Sequence, residues 1–422
     1  MIDIKTPLLY KKYIDSLIKR QITFDHVFFF ELNSKIKKQK NIIYKLQYKH
    51  NLISLLIKNL KNIIFAYNYF TIESNKLKKI ITEKKYKLIY LEGNLKNILL
   101  SIPNILDTSV PIGKSNLENI ELRLFEKVDI QVKKHYISKD IELNKNYIDF
   151  DLSAKISGAG FVIFKDALAS LHRAIGNYML DLHIYKHGYK EIYSPLLVNE
   201  NTMFNSGHFP KFFYDQFNII NTNLWLIPTA EVVLSNFFSN TTISEQKLPI
   251  KLVSKTSCFR KEKGNYGCKV KGLIRQHQFD KVELVKIVVP EKAYDALEEL
   301  VNNAETVIQN LNMSYRLVSL CSGDTGFSSA KTYDLEIWFP KRKMYIEVSS
   351  CSNTETFQSL RMKTKIKSRV TAEYPHILNG SGLAIGRILL AIIENYSDVN
   401  GNILIPDVLI KYMNGQRLIN VN

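Results

Sequence analysis

The sequence predicts an α+β protein in two parts: an N-terminal antiparallel coiled-coil helical hairpin, then an antiparallel sheet flanked by helices. Two observations predict it. In the first hundred residues, apolar side chains recur every three or four positions through two long tracts separated by a short polar break. That is the pattern of helices paired along a seam. From about Gly158 onward, alternating apolar runs follow one another with few helices between them, as in an antiparallel sheet rather than in strand–helix–strand units.

In chain order, residues 1–30 show no clear period and read as a short helical lead-in. The first tract runs through Leu32, Ile36, Gln39, Ile43, Leu46, His50, Ile53, Ile57, Leu60, Ile64 and Tyr67. The break is expected at Asn68–Asn75, and the second tract continues through Leu77, Ile81, Lys84, Leu88, Leu91, Leu95, Ile98 and Ile102. At 1.5 Å per residue the first arm would reach roughly 50 Å. Gln39, His50 and Lys84 fall on the seam and read as register-setting or snorkelling residues. Pro103 ends the second arm, and residues 102–113 (IPNILDTSVPIG) form a Pro- and Gly-bearing linker. The expected domains are an arm over 1–110, with its hairpin at about 31–102, a linker over 111–157, and a second domain over 158–422.

In the second domain, Leu168, Leu171, Ile175, Met179 and Leu182 mark a helix over Ala167–His187, followed by a short strand at Tyr189–Tyr193. Strands are expected near Leu224–Ile227, Leu252–Phe259, Leu273–Val289, Tyr315–Leu320, Tyr333–Phe339 and Met344–Val348, with helices at 291–311 and Leu383–Tyr396. Gly380 to Arg387 reads as a helix start whose small residues, Gly380 and Ala384, let a ligand approach. Its glycine spacing does not fit a dinucleotide fingerprint. Gly113-Lys114-Ser115 is not the end of a P-loop, because position 108 is Thr rather than Gly.

Bulk properties narrow the function. No signal peptide is apparent at the N-terminus, and apolar runs such as Leu55–Ile57 are cut by Lys58 and Lys61, so a cytoplasmic protein with no membrane span is expected. The four cysteines, Cys258, Cys268, Cys321 and Cys351, include no CxxC pair and read as reduced thiols. Residues 1–110 carry 20 Lys and Arg against 8 Asp and Glu, a net +12 of the total +18. The charge therefore gathers on the hairpin, as for a cationic lever along a nucleic-acid backbone; a protein-binding spacer with a solvated Lys face is the competing reading.

The chemistry gathers in Cys258–Glu283. In an extended strand Arg275, His277, Phe279, Lys281 and Glu283 would share one face. The Lys261–Gly272 segment is too long for a tight hairpin turn and suits a lid or binding loop. Only 11 of the 58 basic residues are Arg, so Arg260, Arg275 and Arg387 hint at planar, bidentate recognition. With Glu231 and Glu347 supplying carboxylates, the stretch looks like a nucleotide-plus-amino-acid site.

Seven segments carry a resemblance: PTAE (228–231), CFRKE (258–262), GLIRQHQFDKVE (272–283), SGDTGF (322–327), KTYDLEIW (331–338), EVSSCSN (347–353) and NGSGLAIGR (379–387). In this order they resemble the seryl-tRNA synthetases, class II aminoacyl-tRNA synthetases, through essentially all of residues 158–415 and into the linker. The resemblance implies a class II antiparallel sheet and a homodimer. It implies that ATP and L-serine give seryl-adenylate, and that serine then passes to tRNA(Ser), and to tRNA(Sec) where present.

By that resemblance Arg260 and Arg387 are the catalytic cations, on the α-phosphate and γ-phosphate. Lys261, Glu262, Phe279, Glu347, Val348, Ser349 and Ser350 join them in binding ATP, with Phe279 on the adenine and Glu262 at the base. Glu347 and Ser350 meet Mg²⁺ through the nucleotide. Thr229, Ala230, Glu231, Arg260, Glu283 and Ser381 bind serine, with Glu283 and Ser381 reading its hydroxyl. The chain departs from the family pattern at Lys261, at Cys268 and Lys269 in the loop, at Ile346 where Arg is common, and in using Lys for Arg along the hairpin. Two alternatives stand beside this reading. One is a ligase charging a carrier protein, though known examples lack the long hairpin. The other is a catalytically inactive RNA-binding paralogue, which predicts loss of Arg260, Glu283, Glu347 or Arg387.

Overall fold

The computed structural model describes residues 7–60, 62–126, 146–262, 272–367 and 372–420. Packing divides the chain into two compact units, residues 22–102 and the remainder.

The smaller unit is an antiparallel hairpin of two helices, His26–Asn59 (α2) and Ile64–Ser101 (α3); helix α1, Pro7–Lys19, lies outside it. Asp25 caps α2 by accepting the Phe28 N–H at 2.8 Å. Phe29, Leu32, Ile36, Ile43 and Ile53 bury one side of α2, and Leu77, Ile81 and Leu100 bury one side of α3. The expected polar seam residues cross-link the arms: Gln39 Nε2 donates to the Lys84 carbonyl at 2.9 Å, and His50 Nε2 lies 3.2 Å from Ser74 Oγ. The expected break at Asn68–Asn75 is wrong, since the helices part at residues 60–63. Paired residues of an antiparallel hairpin lie equally far from its turn, and both cross-links centre on about residue 62. The polar residues of 68–75 instead lie within α3, on exposed or half-exposed positions. Arm length agrees with expectation: α2 has 34 residues, roughly 50 Å.

In the larger unit α1 is held by hydrogen bonds that leave little freedom. The Leu106 N–H donates to Ser16 Oγ at 2.9 Å, and Ser322 Oγ donates to the Lys19 carbonyl at 2.6 Å. Arg20 donates to the carbonyls of Thr325 and Ser329, each at 2.7 Å. Residues 103–110 bond the same region, through Asn104 to Phe327 and Asp107 to Ala330. The 1–110 arm is therefore corrected at both ends, because these segments pack with the larger unit.

The main sheet comprises Ile120–Phe125 (β1), Lys190–Glu191 (β2), Ile250–Phe259 (β3), Gln278–Val288 (β4), Tyr315–Ser319 (β5), Lys331–Phe339 (β6), Met344–Asn353 (β7) and His376–Ala384 (β8). Their order across the sheet is β1-β5-β6-β7-β8-β4-β3-β2. Each pairing is antiparallel except β2 with β3. Helices Asp166–Asp181 (α4), Ala293–Asn310 (α5) and Ile385–Tyr396 (α6) bury Leu171, Ile175, Leu297, Leu300, Ile388 and Ile392 in one core with Val282 and Leu284 of β4. Val285 and Ile287 of β4 join a second cluster with Ala230, Leu234 and Ile377. No helix among the described residues is long and apolar enough to cross a membrane.

Three further expectations change. The linker contributes edge strand β1, whose alternation Ile120-Glu121-Leu122-Arg123-Leu124 the linker expectation passes over; all six of its side chains are exposed. Leu273–Ile274 lie in a 3₁₀ turn, and Arg275 and His277 of the expected face also precede the strand, because the β3–β4 ladder ends at Phe259 opposite Gln278 and the His277 N–H turns to the Gly160 carbonyl instead. Residues 380–384 continue β8, and the helix starts at Ile385. Gly380 is small for packing: a Cβ there would meet Cys351 Sγ at 2.9 Å and Leu300 Cγ at 3.0 Å. Most of the Lys261–Gly272 loop, with Cys268 and Lys269, lies outside the described residues; Cys258, Cys321 and Cys351 are buried free thiols.

Candidate active site

Register fixes the site. Cys258 faces Phe279, Thr256 faces Lys281 and Ser254 faces Glu283 across β3 and β4, while Ser381 of β8 faces Glu283 from the other side. Side chains at 279, 281 and 283 therefore share one face of β4, and a cleft of about 540 Å³ opens over it. Arg260, Glu262, Phe279, Lys281, Glu347, Val348, Ser381, Ala384 and Arg387 all contribute to its wall. Residues from four separate sequence motifs thus meet in one cavity.

At its centre Arg260 leaves the end of β3. Its N–H donates to the His277 carbonyl at 2.9 Å, and its Nε donates to the Pro228 carbonyl at 3.2 Å. These bonds hold the guanidinium 5.1 Å from the centre of the Phe279 ring, within cation–π range. Glu262, at a φ of +47°, forms an ion pair with Arg275. Lys261 turns aside: its ammonium lies 5.7 Å from the Phe217 ring, and its N–H bonds the Asp215 carbonyl.

Beside Lys281 lies a buried carboxylate cluster. Glu283 Oε2 accepts the Thr229 hydroxyl at 2.6 Å and pairs with the Lys281 ammonium. Glu231 Oε1 accepts from Gln358 Nε2 at 2.7 Å and from Asn379 Nδ2 at 2.8 Å. Burial, reinforced by the negative charge of Glu283, pushes the Glu231 carboxyl up to about 7. Ala230 is fully buried in an apolar cluster, so its side chain adds packing and no polar contact.

Also in the cleft wall, Arg387 Nη1 donates to the Glu347 carbonyl at 2.6 Å and lies 3.4 Å from its carboxylate. Ser349 does not face the cleft: its hydroxyl donates to the Ser381 carbonyl at 2.5 Å. Ser350 stands opposite Asp334 of β6. Asp334 is buried, and desolvation with the nearby Glu347 charge raises its carboxyl well above the usual range. Sequence reasoning missed Asp334, Gln358 and Asn379, and gave Lys281 a face but no role. Asn379 stands within a motif already singled out, whereas the Gln358–Glu231 contact spans 127 residues and has no local signal.

Residues 212–396, which include nearly all of these groups, match the family model described as tRNA synthetase class II core domain (G, H, P, S and T). The chain is 48% identical over 388 residues to the serine–tRNA ligase of Wigglesworthia glossinidia brevipalpis, covering 89% of this chain and 90% of that one. The chain belongs to the serine–tRNA ligase family. It is also 44% identical to the serine–tRNA ligase of Legionella pneumophila, covering 96% of both chains. Among solved structures, the seryl-tRNA synthetase of Pyrococcus horikoshii, complexed with ATP, superposes with a TM-score of 0.88 at 29% identity, covering 100% of this chain and 99% of that one. In this chain Ile346 sits in the core opposite Ile337. An apolar pair thus stands where the sequence pattern anticipates an arginine's ion pair.

Proposed function

We propose that this chain activates L-serine with ATP and transfers it to tRNA(Ser), and to tRNA(Sec) where that RNA is present. The observation that carries the proposal is one cleft lined by the Arg260–Phe279 pair, Arg387 and Lys281, with Lys281 tied to the buried Glu283 that also accepts the Thr229 hydroxyl. The first step is attack of the serine carboxylate oxygen on the α-phosphorus of ATP, with pyrophosphate leaving. In the second, a hydroxyl of the tRNA 3′ terminal ribose attacks the acyl carbon and AMP leaves. Neither step needs a protein nucleophile, so the site's tasks are alignment and charge neutralisation.

The side chains suit those tasks. Phe279 stacks on the adenine with Glu262 near the base, leaving Arg260 beside the α-phosphate and serine carboxylate. Arg387 takes the γ-phosphate. Glu231 and Thr229 hold the ammonium, while Glu283 and Ser381 receive the hydroxyl. Alanine, lacking that hydroxyl, would leave buried polar groups unpaired. Glu347 and Ser350 offer hard oxygen donors beside the buried Asp334 carboxyl, a donor set suited to Mg²⁺. That ion would supply charge neutralisation on the triphosphate. Val348 forms wall, and Lys261 and Ser349 serve through the backbone.

The Lys-rich hairpin is the tRNA-binding arm, reading the backbone and shape of double-stranded RNA. The molecule works in the cytoplasm as a homodimer. ATP–pyrophosphate exchange measured with each of the twenty amino acids tests the activation step: serine alone should support strong exchange. Failure with serine across buffers and Mg²⁺ concentrations would leave the inactive paralogue as the better reading.

A further inference from the structure

Strand β8 is irregular beside the proposed serine site. Its register against β4 is unbroken from His376–Val288 to Ser381–Glu283, then slips before Ala384–Lys281. Gly382 and Leu383 occupy the slip, and Leu383 has a φ of +108° with its side chain fully buried. Leucine adopts such a backbone only where its surroundings impose it. A bulge next to a site re-aims the adjacent side chain, and Ser381 is the last residue in register before it.

Two contacts hold the bulge. From β7, Ser349 Oγ donates to the Ser381 carbonyl at 2.5 Å. From the other direction comes His183, in the π-helical turn Leu182–Lys186 that ends α4. Its ring lies so close that a Cβ on Gly382 would stand 2.8 Å from Nε2 and 3.0 Å from Cδ2, with Val282 Cγ1 also at 3.0 Å. The ring is fully buried, and its Nδ1 lies 3.0 Å from Nδ1 of His187. Burial first, then His187, push the His183 imidazole down to about 3, so a neutral ring sits there at physiological pH. With one Nδ1 donating and the other accepting, the pair fixes the ring's orientation.

We propose that His183 is a positioning residue for amino-acid recognition: wedged against Gly382, it keeps the β8 bulge in place so that Ser381 stays opposite Glu283. His183 touches no substrate and acts only through the strand. The inference rests on the reading of Ser381 and Glu283 as the groups that receive the serine hydroxyl.

Steady-state exchange, with KM for serine and for ATP determined separately, tests it on Ser381→Ala, Gly382→Ala, His183→Ala and the His183→Ala/Gly382→Ala double variant. Ser381→Ala should raise the serine KM while the ATP KM stays within about twofold. Gly382→Ala should raise the serine KM roughly tenfold or more, as misplacement of a recognition group does, again sparing ATP. His183→Ala should act in the same direction. In the double variant the missing ring leaves room for the new methyl, so serine use should recover part of the Gly382→Ala loss. If Ser381→Ala leaves serine KM unchanged, the site reading fails and the inference with it. If Ser381→Ala shifts serine KM but the other variants alter both substrates equally, or lower only the thermal midpoint, the site reading stands and the role of His183 is overturned. His183→Gln keeps a hydrogen-bonding group for His187 without the ring. It serves if the alanine variants do not fold, and an unchanged serine KM in it overturns the proposal.

Discussion

The Thr229 hydroxyl donates to Oε2 of Glu283 at 2.6 Å, and the Lys281 ammonium pairs with the same oxygen. Both ties fall on Oε2. Thr229→Val keeps the volume and removes the donor, so Glu283 retains Lys281 alone. The serine KM in exchange should rise about tenfold with the ATP KM moved less than about twofold, and Glu283→Ala should be worse in the same direction. A defect confined to ATP would contradict the placement of Glu283 at the amino-acid end.

A second prediction concerns pH. Glu231 is raised from its ordinary 4.5 to about 7, so between those values the folded protein keeps a proton that the unfolded chain has lost. Stability from this group therefore falls as pH rises through that window. A ligand ammonium favours the carboxylate, so binding serine below about pH 7 should release a proton, and serine affinity should climb several-fold toward about pH 8. Calorimetry in buffers of unlike ionisation heat reads the release directly, and Glu231→Gln should abolish it. Wild-type protein that binds serine without releasing a proton would remove Glu231 from the ammonium site.

The Arg387–Glu347 contact leads to a third. Arg387 holds both the backbone carbonyl and the carboxylate of Glu347; the proposal gives Arg387 the γ-phosphate and Glu347 the Mg²⁺. Nucleotide binding must then part the ion pair. Glu347→Gln should raise the Mg²⁺ concentration for half-maximal exchange by roughly tenfold, and chelation should abolish exchange in both forms. An unchanged Mg²⁺ requirement would exclude Glu347 as a metal ligand.

What the sequence made legible follows from where the physics is local. Alternation put Phe279, Lys281 and Glu283 on one strand face, as β4 has them, and the scarcity of arginine picked out Arg260 and Arg387, which line one cleft. The hairpin turn was misread because a heptad pattern can run on by chance past Leu60, whereas partner distance across the seam is not local. Edge strand β1 does alternate, Ile120-Glu121-Leu122-Arg123-Leu124, but the run is short and all its side chains are exposed, so burial gave no second signal. The supports of Glu231 and the wedge of His183 against Gly382 join residues more than a hundred positions apart. Those are properties of the folded chain, and no window of sequence contains them.

The last prediction separates the two units. Excising residues 45–79 and closing the arms with a short Gly-rich turn retains the Gln39–Lys84 clamp, with Ile43 and Ile81 beside it. The excised piece carries seven Lys against a single acidic residue, Glu73, so it removes positive charge with almost no compensating loss. No residue of the cleft lies within it. Serine-dependent exchange should stay within about twofold, while tRNA charging should fall by roughly a hundredfold or more and lose much of its salt dependence. Residual charging in the shortened protein should rise when tRNA is supplied at high concentration, because the lost contacts are binding contacts and the chemistry is intact. Equal loss of exchange and charging would mean that the arm supports the catalytic unit's own activity, and the lever reading would fall.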